Sequence, residues 1–439
     1  LERVFSVSIN EILKHVDREK LLRLTSDLVN IPSPTGEEKE IAEFYAAELD
    51  RIGLEVTLQE VEKDRPNVIA YLRGDGGGAT LMFNGHMDTS ITGKDKEITV
   101  SVPGQRPKAE VDGDWLYGLG ASNMKNALAA YAVAAEALIK GGARIKGDLI
   151  IAAVVGEIEK APVDQYQGPK YRGGGLGTLY AVTHGITADA AIIGEPTGMR
   201  VQIGNTGYVF AKISVKGVLQ HTWSKEHGVD AIQKMVKVMK AVYDWEPEYQ
   251  AKAKHPFMMP RISIGAIEGG FPYKPTFCPG FCNCYVHITM VPNQDPLEIK
   301  RDLEKLIADL RKDDPELDAS VELYFMRKGY EIPENAYVAR AVSRAHKAIS
   351  GKEPERPSPY RYSVSSDGSI LFNEAGIPSV TYGAGGISRE PMKYSMYDGR
   401  RGEVVNIYNL AEVTKVYILA AMDICNQSPE TVKSLSSSE

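Results

Sequence analysis

Three apolar runs in this chain each close on a glycine turn and then a residue able to bind a metal ion or carry a proton. Residues 79–83 lead into Asn84-Gly85-His86-Met87-Asp88. Residues 148–153 lead into Val154-Val155-Gly156-Glu157-Ile158-Glu159, and Ala191-Ile192-Ile193 leads into Gly194-Glu195-Pro196-Thr197. Short apolar runs bounded by glycine read as buried strands. Open α/β sheets gather their sites at the carboxyl ends of such strands, so these residues are expected to converge although they lie far apart in sequence.

The chemistry of the three endings differs. Imidazole suits zinc-like ions, and a carboxylate two residues on, as in His86-Met87-Asp88, can accept the other ring N–H and fix the tautomer. Taken alone, the pair reads equally as a core histidine beside a turn aspartate. Glu157 and Glu159 taken alone read as a solvated loop edge. The repetition after buried strands is what favours a site.

The rest of the chain alternates in a way that implies two domains, one inserted in the other. Residues 18–31 and 37–53 carry apolar residues at helical spacing, separated by the breaker Asn30-Ile31-Pro32-Ser33-Pro34-Thr35-Gly36. Strands near 66–72, 79–84, 148–155 and 189–194 alternate with an Ala-rich helix at 124–140, which argues for a βαβ sheet. From about 207 the order becomes strand, helix, two strands, helix, strand, the order of a ferredoxin-like βαββαβ unit. The predicted organisation is a catalytic domain over 1–206 and 327–425, an inserted domain over 207–326, and an unstructured, polar, Ser-rich tail over 426–439.

Composition sets limits. With 439 residues and 43% hydrophobic content there is enough for two cores. A net charge of -7 implies no polyanion-binding surface, so nucleic acid is excluded as a partner. Cys278, Cys282, Cys284 and Cys425 form no metal or disulfide framework and point to reduced thiols and the cytoplasm. The first residues lack the pattern of a signal peptide, and no apolar stretch of about 18 residues implies a membrane span.

Seven segments occur in an order that resembles the metallopeptidase family of acetylornithine deacetylase, succinyl-diaminopimelate desuccinylase, aminoacylase and glutamate carboxypeptidases. They are Gly85-His86-Met87-Asp88-Thr89, Tyr117-Gly118-Leu119-Gly120-Ala121-Ser122-Asn123-Met124-Lys125, Gly156-Glu157, Gly194-Glu195-Pro196-Thr197, Gly217-Val218-Leu219-Gln220-His221, Ser366-Asp367 and Gly376-Ile377-Pro378. The resemblance implies a zinc-peptidase-like α/β catalytic domain, a mixed sheet with flanking helices, carrying an inserted ferredoxin-like lid and dimerisation domain. It implies that His86, Asn123 and Glu195 hold one metal, that Asp88 orients His86, and that Glu157 is the general base. It also implies that His221 reaches from a partner subunit to stabilise anionic charge, so a homodimer or higher oligomer is expected. Read alone, His221 is a turn residue beside Trp223.

The chain departs from the family where a second metal would bind. Asn123 stands at the place of the bridging aspartate, Ile158 at that of the second acid, and the last histidine is His346, ahead of Ser366-Asp367. The expectation is one divalent transition ion, manganese or zinc, held by fewer charges. A one-residue slip bringing Glu159 into the second acid's place is the alternative.

The substrate signals also differ. Where family members that bind an amino-acid carboxylate resemble one another in a lid-strand arginine, this chain offers Thr289, with His287 two residues away. Arg361 and Arg389 are candidates for an anion clamp. The chain has 22 tyrosines, including Tyr360, Tyr362, Tyr382, Tyr394 and Tyr397, and a flat face with a polar tip suits an aromatic substrate. One branch of the family, 5-nitroanthranilate aminohydrolase, removes an amino group from an activated ring, and the pattern is compatible with it. The expected function is hydrolysis of a carbon–nitrogen bond in a small carboxylate-bearing molecule, an aminohydrolase or amidohydrolase on an aromatic or atypical substrate. The alternatives are an N-acyl amino acid deacylase or carboxypeptidase, and a non-catalytic binding or assembly protein that keeps the fold.

Overall fold

The computed structural model describes residues 9–92, 104–355, 365–387, 397–398 and 402–435. Among the described residues the chain divides into two compact units, one built from the segments up to Gly204, from Glu331 to residue 355 and from Ser366 onward, the other from Asn205–Tyr330 and Ser365.

The first unit is organised by a six-stranded sheet. Its strands lie in the order Glu55–Glu62, Arg65–Leu72, Leu149–Val154, Leu81–His86, Ala190–Ile193 and Ser379–Thr381. The last four run parallel and the first two antiparallel, so the sheet is mixed. Every residue of Leu81–His86, Leu149–Val154 and Ala190–Ile193 is buried, as expected of parallel strands covered on both faces. The covering helices Lys125–Lys140 and Ile407–Ile424 are themselves buried on most sides, and the alanines of the first allow close approach. Parallel register sets His86 opposite Val154 and Asn84 opposite Ile193, which brings the Glu157 and Glu195 turns to the end of the sheet where His86 sits.

A second, antiparallel sheet in the same unit has the order Tyr397–Asp398, Gly402–Asn406, Trp115–Tyr117, Glu110–Asp112. The loop carrying Asn123 leaves this sheet at Tyr117 and enters the helix at Lys125.

The predicted unstructured tail needs correction over its described part. Pro429–Lys433 is helical, with the Ser428 hydroxyl accepting from the Thr431 N–H and Pro429 at the first helical position. Val432 is buried, the Gln427 carbonyl accepts from the Ala79 N–H at 2.8 Å, and Lys433 pairs with Asp189 at 2.8 Å.

The second unit has a four-stranded antiparallel sheet in the order Ile262–Gly269, Phe281–Met290, Gly207–Lys216, Asp318–Arg327, with helices Ala231–Lys252 and Pro296–Asp313. The chain order is the strand, helix, two strands, helix, strand expected. In Phe281–Met290, Cys282, Cys284, Val286, Ile288 and Met290 enter the core with residues from both helices, so Asn283, Tyr285, His287 and Thr289 occupy the other face. The first helix extends to Lys252, with Trp245 and Tyr249 continuing its buried stripe. Asp230 and Asp295 cap the two helices by accepting backbone N–H bonds. No helix among the described residues is long and apolar enough to cross a membrane.

Candidate metal centre

His86 ends its strand with the side chain buried. Its Nδ1–H donates to the backbone carbonyl of Asp88 at 2.9 Å, which fixes the ring and presents Nε2 to the site. Around Nε2 lie Asn123 Oδ1 at 2.9 Å, Glu195 Oε1 at 3.4 Å and Glu157 Oε2 at 3.8 Å. Among the described residues, His86, Glu157 and Glu195 are the one group of three or more His, Cys, Asp or Glu side chains with donor atoms within 4.8 Å of one another. Glu159 is not part of it.

Asp88 plays a different part from the one expected. Its carboxylate Oδ1 is 3.6 Å from His86 Nδ1, so the backbone carbonyl does the orienting. The carboxylate instead accepts from the N–H groups of Glu157 (3.0 Å) and Ile158 (3.3 Å) and from the Thr35 hydroxyl (2.8 Å). It thereby ties the Glu157 turn to the strand that carries His86.

The Glu157 turn is braced from behind as well. Gly156 has φ +63, and a Cβ there would lie 2.7 Å from Arg65 Nη2. Arg65 is fully buried and pairs through two bonds with Glu38, while Nη1 donates to Glu62 and to the carbonyls of Arg172 and Pro169. Asp367, also buried, accepts from the Thr178 hydroxyl at 2.6 Å, and its charge bears on Glu157.

Asn123 is held through its own backbone. Glu403, in the strand Gly402–Asn406, accepts at one carboxylate oxygen from the N–H groups of Asn123 (2.9 Å) and Ser122 (3.1 Å). The Ser122 hydroxyl accepts from Gly386 N–H at 3.1 Å, and Asn126 Nδ2 donates to the carbonyls of Ala121 and Ser122. Lys125, buried, donates to the carbonyls of Leu28 (3.0 Å) and Ile31 (2.8 Å) at the end of helix Arg18–Asn30. Sequence reasoning did not single out Glu403 or a role for Lys125. The available signal for Glu403 was a lone acid beside apolar residues in Gly402-Glu403-Val404-Val405.

Electrostatics make this a place for a cation. Burial pushes the Glu157 carboxyl well above the ordinary range, and the neighbouring Glu195 carboxylate adds to the shift. Burial opposes charge on His86, but Glu195, Glu157 and Asp88 outweigh it and hold its pKa well up. Burial raises Glu403 to about 7, against the pull of the Asn123, Gly120 and Ser122 N–H groups, and lowers Lys125 to about 7. Buried carboxylates without a counter-charge are costly. An imidazole nitrogen, an amide oxygen and two carboxylates, converging out of water, suit divalent-metal binding.

His221 belongs to the second unit, where it pairs with Phe277 in a two-residue ladder, accepts from Trp223 N–H at Nδ1 and lies parallel to the Trp223 ring. His287 packs edge-on against Tyr208 and Phe210, and the Thr289 hydroxyl accepts from Arg261 N–H at 2.6 Å. Tyr382 is buried in the first unit, its hydroxyl 2.7 Å from His346 Nδ1. Arg361, Arg389, Tyr360, Tyr362 and Tyr394 lie outside the described residues.

Residues 82–420 match the family model of peptidase family M20/M25/M40. The N-formyl-4-amino-5-aminomethyl-2-methylpyrimidine deformylase of Halalkalibacterium halodurans is 27% identical over 409 residues, 86% of this chain and 90% of that protein. A succinyl-diaminopimelate desuccinylase of Cereibacter sphaeroides is 25% identical over 367 residues, 82% of this chain and 89% of that protein. The solved structure of the di-peptidase Dug1p from Saccharomyces cerevisiae shares the fold, with a TM-score of 0.73 at 12% identity over 95% of this chain and 98% of that one. The chain belongs to peptidase family M20/M25/M40, whose members are hydrolases of carbon–nitrogen bonds.

Proposed function

We propose that this protein hydrolyses a carbon–nitrogen bond of a small carboxylate-bearing aromatic or heteroaromatic substrate, using one divalent ion, manganese or zinc. The observation that carries the reading is the set of oxygen donors gathered around His86 Nε2, with the Glu157 carboxyl beside them. His86, Asn123 and Glu195 would hold the ion. A divalent ion bound there supplies Lewis-acid polarisation of the scissile group and acidifies the attacking water.

Glu157 is the proton carrier. Its burial favours the neutral acid once a proton has been taken from water, and the same proton can pass to the departing nitrogen. Asp88 keeps Glu157 in place through the two backbone N–H bonds of its turn. His221 is read as a donor to anionic charge supplied by a partner subunit, which makes a homodimer or larger assembly part of the proposal. The four buried, unpaired thiols support a reducing compartment such as the cytoplasm.

Two substrate forms are favoured over a dipeptide. Likeness to a pyrimidine deformylase supports an N-acylated aromatic amine, and replacement of the lid arginine by Thr289 supports an aryl amine such as 5-nitroanthranilate. Likeness to a desuccinylase supports N-acyl amino acids as the second reading. Protein loaded with manganese or zinc, assayed against these three classes and a dipeptide panel, should turn over one of the aromatic amines or amides fastest. Absence of turnover on all of them, with no stoichiometric ion uptake, would leave the non-catalytic binding protein as the better account.

A further inference from the structure

We propose that Glu403 is a positioning residue for the ion: its carboxylate locks the Ser122-Asn123 backbone so that Asn123 Oδ1 stays on His86. The inference rests on the reading that His86, Asn123 and Glu195 hold a divalent ion. Neither the sequence motifs nor the comparisons assign Glu403 a part.

The geometry supports an orienting task more than general stability. Glu403 is 4% exposed, and burying a carboxyl group is costly unless its oxygens are satisfied. One oxygen accepts two consecutive N–H groups, those of Ser122 and Asn123, so it constrains both peptide planes next to the ligand. The nearby cation Lys125 spends its bonds on the Leu28 and Ile31 carbonyls. Glu403 itself is anchored: its N–H donates to Gly104 O, its own carbonyl accepts from Gly118 N–H, and Val404 pairs with Tyr117. The carboxylate therefore has a fixed base on one strand and a grip on the loop that follows the neighbouring strand.

A neutral ligand makes this grip more important. An amide oxygen binds a divalent ion more weakly than a carboxylate and must be held on target, since it draws less on charge to find the ion. A second contact completes the hold, because Ser122 Oγ accepts from Gly386 N–H. Gly385 in turn lies so close to Ser122 and Pro196 that an added Cβ would be 2.3 Å from Ser122 O and 2.8 Å from Pro196 Cβ. The loop bearing Asn123 and the turn bearing Glu195 are thus joined through Ser122.

The test is Mn(II) binding to the purified full chain, followed by electron paramagnetic resonance alongside the urea midpoint of the ion-free protein. Glu403→Met keeps much of the length of the side chain but removes both carboxylate oxygens, including the one that accepts from the Ser122 and Asn123 N–H groups. We expect the Mn(II) dissociation constant to rise about 10–100-fold and the bound-ion spectrum to change, with the ion-free urea midpoint lowered no more than in Val404→Ala. Glu403→Asp, which withdraws the carboxylate by one methylene, gives the same reading should the methionine variant not fold. Wild-type affinity and spectrum in the variants overturn the inference, as does a loss of affinity that Val404→Ala reproduces with its spectrum. If the wild-type protein takes up no Mn(II), the metal reading itself fails, an outcome distinct from a variant that binds as the wild type does.

Discussion

Arg65 and Glu38 form a two-bond pair with both side chains wholly out of solvent, Nε to Oε2 at 2.8 Å and Nη2 to Oε1 at 2.7 Å. Breaking such a pair from one side leaves a buried guanidinium with the partly exposed Glu62 as its remaining counter-charge. Glu38→Gln should therefore destabilise the first unit by about 3–5 kcal/mol, read from urea unfolding. A change below about 1 kcal/mol would mean that Glu62 and the two carbonyls alone satisfy Arg65.

The same pairing makes Gly156 hard to replace. An added methyl group would meet Arg65 Nη2, and a pinned guanidinium cannot swing away as a free side-chain end would. The left-handed backbone adds about 1–2 kcal/mol for a residue with a Cβ. Gly156→Ala should lower both the melting temperature and kcat, because Glu157 is the next residue. Full activity in a stable alanine variant would show that the turn tolerates displacement.

Glu157→Gln removes the proton acceptor while keeping the volume. Loss of general-base catalysis should lower kcat by about 10²–10⁴-fold. Metal content, measured on the dialysed protein, should stay near that of the wild type if His86, Asn123 and Glu195 are the main ligands. Unchanged kcat would remove Glu157 from the mechanism, and loss of the ion would make it a ligand.

His346 gives the first unit a dependence on pH away from the centre. Burial lowers its pKa, while Glu412 and Glu353 pull the other way, and the neutral ring faces the Tyr382 hydroxyl. The unfolded chain then binds this proton more readily than the folded one. Stability from the neutral ring is complete above the ordinary 6.5 and is lost as pH falls through the lowered folded value. His346→Gln should flatten the fall in unfolding free energy below that pH. An equally steep fall in the variant would assign the dependence to other groups.

How much of this was legible in the sequence depended on the range over which each feature is encoded. The strands ending at His86, Val154 and Ile193 were visible because apolar runs and glycine turns are local, and parallel pairing then brings their ends together without further information. The part played by Asp88 was not visible. Which of its oxygens faces the His86 ring depends on the path of the backbone after the strand, and its carboxylate serves a turn 69 residues away. Glu403 was hidden for a related reason, since its bond to Asn123 spans 280 residues and a lone acid in a short strand has no periodic signature. The helix Pro429–Lys433 did carry a local signal, Ser428-Pro429-Glu430, that the serine-rich composition around it obscured.

The groups around His86 Nε2 come from the ends of two different sheets. His86 ends a strand of the six-stranded sheet and Glu157 and Glu195 follow two others, whereas Asn123 follows Trp115–Tyr117 of the antiparallel one. A bound cation would act as a rivet between them. Chelation should then release more than chemistry: amide hydrogens around residues 115–124 and 402–406 should exchange faster, and the protein should become easier to digest along that seam.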